Sequence, residues 1–590
     1  MPMKKDRDSA SAGGPLQGDA PTPARIGRRA SLVPWIALPF GVALALLLAR
    51  RPDVAGLMHD DGVYLSMARE IAAGRGPVDG HAPAEVRTAR FPPLHPVALA
   101  LESALLGAQG PGLANVHRLV AANAAWMALA LFLFLRWLTV RRGWPPAAAL
   151  AAGLATFALP QLLGNAQHLM SEPLFTALLL AVVVRLDGLV AAPGGATPRA
   201  LALTGLLVGL LPAARSAGMA IALAAAAYVF GVTRELAAPR RTRPRAVFLA
   251  GMLAPWFVAA AWSAFSVRAN PELASSGLLG PPYSALLPKG AGELLQVVAL
   301  NLVRFADYFL ATVLPRLPAA DGTGLLPFAL RSAAIVALAA LAYVAFRTRA
   351  RRPASSVAWL LGGYGLLLLP WPFADTRFLA PVAPLAIAWI GEGAGATFAR
   401  ACRSAPRVAA TAAISTFVAL MAWNAPSTAA LFREESGRAS RFGVAVPLAP
   451  LEEAAAWLAS STAPGDVFAA TLDPTLHLMS GRPGVSSWRN DQPFLEAYAG
   501  GFGEWRTLFT GGATQATFDR CFAGAGEVLA EYERLGVKHV VVLRVGGHPL
   551  HDPLASHLVR GKTPTAERFA RVFQSADGLA EIYRLGPARR

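Results

Sequence analysis

Apolar runs of about the length that crosses a bilayer recur along most of this chain, separated by short polar stretches in which arginine is common. Read for that period, and at roughly 20 apolar residues per crossing, the segments are Leu32–Leu48, Val116–Val140, Ala147–Leu163, Leu174–Val184, Leu201–Leu211, Met219–Val232, Val247–Phe265, Leu325–Phe346, Val357–Trp371, Phe378–Ile390 and Ala409–Trp423. That predicts about eleven spans, or thirteen if the runs near Leu94 and Leu295 also cross. Leu94–Leu106 is short and carries Glu102, so it reads as an interfacial or re-entrant helix. The basic clusters at Arg25/Arg28/Arg29, Arg141/Arg142, Arg185/Arg199, Arg234–Arg245, Arg347–Arg352 and Arg400–Arg407 then fall on one side. By the positive-inside bias that side is cytoplasmic, and an odd number of spans puts the C-terminus outside.

After about Ser427 the pattern changes. Leu451–Ser460 and Val528–Leu535 have helical spacing, Asp466–Thr471 and Val537–Leu543 read as strands, Leu476–Met479 with Gly481–Gly484 reads as a further edge, and Arg571–Arg584 alternates like a strand pair around Asp577-Gly578. The expected architecture is an α-helical polytopic membrane protein with a small soluble α/β C-terminal domain. It divides into a disordered cytoplasmic tail at 1–31, a transmembrane domain at 32–425 with a first outer loop at 50–115, and an extracytoplasmic domain at 426–590. The first apolar run is flanked by Arg50 and Arg51 and reads as a retained anchor rather than a cleaved signal peptide.

Composition agrees with that pattern. The chain has 590 residues, 54% hydrophobic and 15% charged, too apolar and too long for one soluble domain. Its net charge of +18 lies in topological clusters rather than along one polar face, which argues against nucleic-acid binding. Two cysteines in distant regions, Cys402 and Cys521, support neither a disulfide framework nor a cysteine metal site.

The chemistry-bearing residues gather on the outer side of this topology: Asp60, Asp61, Arg87, Arg90, Glu172, Arg215, Asp375 and Arg377. Asp60 and Asp61 suit a general base with a neighbour that assists it or binds a divalent cation; an acidic pair before Gly62 is also an ordinary helix-start signal. Glu172 before Pro173 has the same simpler role at a helix N-terminus. Arg215 interrupts an apolar stretch, as a functional intramembrane cation does or as a snorkelling interfacial one does. Arginine forks match phosphate oxygens, so Arg90, Arg215 and Arg377 are the candidate phosphate clamp. His59, His81, His95 and His168 lie on the same side without the spacing of a metal site. No nucleotide-cradling glycine loop is present, so a donor on this side would be membrane-carried.

Taken together, Asp60-Asp61-Gly-Val-Tyr64-Leu, Pro92-Pro93-Leu94-His95-Pro96, Met170-Ser171-Glu172-Pro173-Leu174-Phe175, Arg215 and Arg377-Phe378-Leu379-x-Pro381-x-x-Pro384 follow one another in the order found in the GT-C membrane glycosyltransferases. The chain resembles the bacterial group of protein O-mannosyltransferases and lipid A aminoarabinose transferases. Phe91 separates Arg90 from the Pro-Pro element, which the family's basic residue usually abuts. The resemblance implies a polyprenyl-phosphate-linked sugar as donor and inverting transfer to a hydroxyl acceptor at the outer face of the cytoplasmic membrane. Asp60 would be the base, Glu172 would orient acceptor or sugar, and Arg90, Arg215 and Arg377 would hold the donor phosphate. The competing class is a multi-pass transporter or flippase of lipid-linked glycans, disfavoured by the absence of visible repeats and by acids lying at a surface rather than at mid-membrane.

Overall fold

A computed structural model describes residues 32–587 except 51–53, 77, 84–90, 109–112, 191–196, 234–237, 270–277, 279–289, 318–324, 350–354, 372–375, 403–405, 433–437, 442–443, 490–522, 545–550 and 562–563. The tail at 1–31, Arg87, Arg90, Asp375 and Cys521 therefore lie outside the described residues.

A helix occupies each of the eleven segments read as spans. They are α1 (Ala37–Leu48, entered by a 3-10 turn at Val33–Ile36), α4 (Val116–Arg136), α5 (Pro146–Phe157) with α6 (Pro160–Gln167), α7 (Glu172–Val190), α8 (Pro198–Ala214), α9 (Gly218–Val232), α10 (Ala238–Ala269), α12 (Leu325–Arg349), α13 (Ser356–Leu368), α14 (Ala383–Cys402) and α15 (Pro406–Leu431). Between them lie α2 (Asp60–Ala72), α3 (Leu94–Leu105) and α11 (Ala291–Val313). Among the described residues five helices are long and apolar enough to cross a membrane, six if the bent pair α5–α6 is one span; five further apolar helices have 10–17 residues. The expected helices are thus in place, but fewer than eleven have full spanning length. Exposed Leu38, Phe257 and Leu366 on the helix flanks form the apolar exterior that a bilayer covers.

Two packing devices place the residues that matter below. The first is the approach of α8 to α10. A Cβ on Gly205 would lie 2.2 Å from the Phe248 carbonyl oxygen, and one on Gly209 would lie 2.2 Å from that of Met252. Both obstacles are backbone, so only glycine fits, which is the small-residue contact that lets membrane helices close without a hydrophobic driving force. This fixes α8 and hence Arg215 at its C-terminal end. The second is the 56° bend between α5 and α6 at Pro160. Thr428 of α15 donates to the Ala158 carbonyl at that break, and α6 then carries the chain inward to His168.

The C-terminal region folds as a three-layer α/β unit. Its sheet runs β4 (Gly484–Ser486), β3 (Val467–Ala470), β5 (Val537–Leu543), β7 (Ala580–Leu585), β6 (Phe569–Gln574); the first three strands are parallel and the last two pairings antiparallel. A separate hairpin, β1 (Arg438–Arg441) with β2 (Val444–Pro447), leads into it. The Val537–Leu543 run is apolar on both faces because both are covered. Val541 and Leu543 pack with α16 (Ala449–Ser461), while Val540 and Val542 pack with α18 (Ala525–Arg534) and α19 (His551–Arg560). One expectation is corrected here: Leu476–Met479 is not a strand edge but part of α17 (Asp473–Ser480). Its apolar residues take a helical spacing once Asp473-Pro474 starts the turn. The two cores also interlock, since Leu57 of the first loop is buried in the C-terminal core and Leu478 of α17 in the helical one.

Candidate active site

The centre is built at the end of the helical bundle that carries the C-terminal domain. It begins with a strained turn. His59 has φ 64° and ψ −63°, and the Asp60 amide donates to the Met58 carbonyl at 2.8 Å, which makes His59 the middle of a rare γ-turn. Such a backbone costs on the order of 1–3 kcal/mol and is kept where its surroundings over-determine it. Here Asp61 supplies the constraint. Its side chain is fully buried, with one oxygen accepting from the Gly56 amide and the other from the Met58 amide, each at 3.0 Å. His168 Nδ1 lies 3.8 Å from the same carboxylate.

The adjacent acid has a different fate. Asp60 stays 18% exposed, and its Oδ2 accepts from Arg377 Nη1 at 2.9 Å across 317 residues of sequence. Arg377 sits in the turn Thr376–Phe378, which Tyr364 of α13 fixes by donating to the Phe378 carbonyl at 2.8 Å. The sequence reading made one acid a base and the other its helper or a cation ligand; the structure separates them into one that holds the loop and one that faces an arginine.

The second ion pair joins Glu172 at the start of α7 to Arg215 at the end of α8. Glu172 is 2% exposed and the Arg215 side chain 11%. The surface roles open to both residues in the sequence are therefore excluded, and Arg215 turns inward instead of snorkelling. Arg215 also donates to Ser171 Oγ at 3.2 Å. Neither oxygen of Glu172 is aligned for a hydrogen bond among the described residues. Oε1 is in contact with the Arg215 guanidinium, and a buried carboxylate whose charge is balanced in this way is well suited to receive a hydroxyl at Oε2.

Tyr64, one helical turn after Asp60, joins the two pairs. It shares the Ser171 hydroxyl, and burial together with the nearby Asp60 and Glu172 charges pushes its phenol up, so it remains a neutral donor. Its ring stands edge-on to His95 at 4.8 Å and to Phe91 at 5.3 Å. His95 donates from Nε2 to the Leu169 carbonyl at 2.9 Å, and Asn123 donates to that of His168 at 2.6 Å, so the strand of backbone leading into Ser171-Glu172 is pinned from two sides. Arg215 lies within electrostatic range of Tyr64, Tyr364 and Arg377. Asp60, Tyr64, Glu172, Arg215 and Arg377 thus converge from four separated stretches of chain.

Sequence reasoning missed a neighbouring polar group: Asp79 and His81 of the first loop and Asp473 of the C-terminal domain. His81 Nδ1 donates to Asp79, and its Nε2 lies 3.2 Å from Asp473 Oδ2. Burial works against a charged His81, but Asp79 and Asp473 outweigh it and raise its pKa to about 10. His477 lies beside this group, with its pKa lowered to about 4 by burial and by the His81 cation. Nothing local in the sequence marks Asp473 except its place at the C-terminal end of a strand, where open α/β sheets commonly present functional groups. Among the described residues no cluster of three or more His, Cys, Asp or Glu is arranged to hold a metal.

With that geometry in hand, the fold is similar to that of solved GT-C membrane glycosyltransferases. No protein-family model and no curated protein matches the chain. Solved structures do. The oligosaccharyltransferase of Archaeoglobus fulgidus in its apo form is 13% identical over 94% of this chain and 74% of its own, with a TM-score of 0.54. The same archaeal enzyme, AglB, in complex with an inhibitory peptide and a dolichol-phosphate, is 13% identical over the same shares with a TM-score of 0.51. ArnT from Cupriavidus metallidurans bound to undecaprenyl phosphate is 15% identical over 95% of this chain and 99% of its own, with a TM-score of 0.48. At such identities it is architecture that is shared.

Proposed function

We propose that this protein transfers a sugar from a polyprenyl-phosphate-linked donor to a hydroxyl acceptor, with inversion, at the outer face of the cytoplasmic membrane. The observation that carries the reading is the convergence of the Asp60–Arg377 and Glu172–Arg215 pairs at one end of a GT-C bundle. Two solved structures of this fold have polyprenyl phosphates bound, dolichol-phosphate in one and undecaprenyl phosphate in the other.

In this mechanism Arg377 keeps Asp60 aimed, and Asp60 takes the proton of the acceptor hydroxyl as its oxygen attacks the anomeric carbon. The C–O bond to the donor phosphate breaks from the opposite side, which inverts the anomer. Arg215 and Arg377, with Arg90 as a third candidate, stabilise the phosphate charge that develops on departure. Glu172 orients the acceptor or a sugar hydroxyl through Oε2, and Asp61 holds the turn that aims Asp60. The tail would lie in the cytoplasm and the domain at 426–590 outside, above the site.

The test is turnover by purified protein offered a panel of radiolabelled polyprenyl-phosphate sugars and a membrane extract as acceptor pool. Label should leave one donor lipid and reappear in product with the opposite anomeric configuration. No turnover of any donor by folded protein, with donor crossing a reconstituted bilayer instead, would favour the transporter class.

A further inference from the structure

The C-terminal domain reaches into the site with one side chain. Asp473 opens α17 at the carboxyl end of β3 and is 1% exposed. Its Oδ2 faces His81 at 3.2 Å, while its Oδ1 lies 3.7 Å from His59 Nε2 and has no aligned hydrogen bond. The other ring nitrogen of His59, Nδ1, lies 3.8 Å from Asp60 Oδ1. A continuous polar path therefore runs Asp79, His81, Asp473, His59, Asp60, Arg377, crossing from the C-terminal domain to the candidate base.

The backbone around this path is shaped for the same approach. A Cβ on Gly56, where φ is +94°, would lie 2.7 Å from the Thr475 amide nitrogen, and one on Gly62 would lie 2.6 Å from the Pro474 side chain. Pro474 and Thr475 thus press against the two glycines that flank the γ-turn. The Gly484 amide at the start of β4 donates to the His81 carbonyl at 2.7 Å, tying the same loop to the sheet edge. A domain tethered only for acceptor recognition has no need to place a buried carboxylate one imidazole away from the base.

We propose that Asp473 is a positioning residue for transfer, orienting His59 and through it the carboxylate of Asp60. This rests on the transferase reading above. The His59 side chain is 31% exposed and lies between Asp60, Asp473 and the His81 ring. Asp473 on one nitrogen selects the ring orientation that presents the other nitrogen to Asp60. A carboxylate displaced by about 1 Å from its productive position loses on the order of 10²-fold in rate, so docking of the domain completes the catalytic geometry.

The experiment uses the full chain in nanodiscs and the donor turned over by wild type, with undecaprenyl phosphate as the binding probe. For Asp473→Asn the expected result is a kcat lower by about 10- to 100-fold. The donor KM and undecaprenyl phosphate binding should be unchanged, and the thermal midpoint should fall no further than in Asp79→Asn, which weakens the same His81 pairing. Asp473→Glu should recover part of kcat. The double variant with His59→Asn should be no slower than the slower single one, because both break the same link. An undiminished kcat in Asp473→Asn, or losses that multiply in the double variant, would overturn the proposal. So would a kcat loss that always accompanies loss of lipid binding and of the thermal midpoint. If Asp473→Asn does not accumulate, His59→Asn carries the same prediction at a partly exposed position. Failure of the transferase reading looks different: no donor is turned over by wild type, or Asp60→Asn retains full activity.

Discussion

The two ends of the bundle each bury an arginine with carboxylates, and they treat them differently. At the end away from the C-terminal domain, Asp187 of α7 accepts from Trp137 Nε1 at 2.8 Å and from Ser356 Oγ at 2.5 Å, and Arg142 donates to Ser355 while facing Glu392 at 3.4 Å. Both oxygens of Asp187 are filled, by groups on two other helices. At the other end of the same α7, Glu172 has its charge balanced by Arg215 through Oε1, with no aligned donor on Oε2 among the described residues, next to a γ-turn that strains the backbone before Asp60. Asp187 fastens helices together through two aligned donors, whereas Glu172, held through its ion pair beside a strained turn, is placed to receive a ligand.

That contrast can be broken at several points. Glu172→Ala should cost the most, about 3–5 kcal/mol, because it leaves the Arg215 cation buried without its partner; Glu172→Gln should keep most of the fold and lose transfer, and a thermal melt with an activity assay separates the two. Asp61→Ala should destabilise by about 2–4 kcal/mol through two stranded amides, at Gly56 and Met58, with transfer lost as the turn relaxes. Asp187→Asn should lower stability by only about 1 kcal/mol and leave transfer within about threefold of wild type; a catalytic collapse there would erase the distinction between the two ends.

A further effect is one of pH. The folded His81 pKa of about 10 lies above its ordinary 6.5, so its contribution is complete below about 6.5 and is lost as pH rises toward 10. The slope is at most about 1.4 kcal/mol per pH unit. Thermal midpoints across that window should fall, and Asp79→Asn should flatten the fall.

The helices and the acids were readable because each leaves a local mark. Apolar runs and basic clusters reveal α1 to α15, and Asp60, Glu172, Arg215 and Arg377 stand out as charges at span ends. Their pairing was not readable, since Asp60 meets Arg377 across 317 residues. Nor was the divergence of Asp60 from Asp61, which depends on a backbone turn rather than on residue type. Asp473 carried no reading of its own, since the residues after it read as a strand edge, and its place beside His81 arises only when the C-terminal sheet docks on the first loop. The Gly205-x-x-x-Gly209 spacing in α8 was a visible signal of close helix packing that the hydropathy reading passed over.

The most direct test of the account is the single-turnover rate of Asp60→Asn with the donor that wild type consumes. A general base removed without disturbing the Gly56–Asp61 turn should lower the rate by about 10²- to 10⁴-fold while undecaprenyl phosphate still binds. A rate within a few fold of wild type, in protein that melts normally, would contradict the central claim that Asp60 performs the proton transfer.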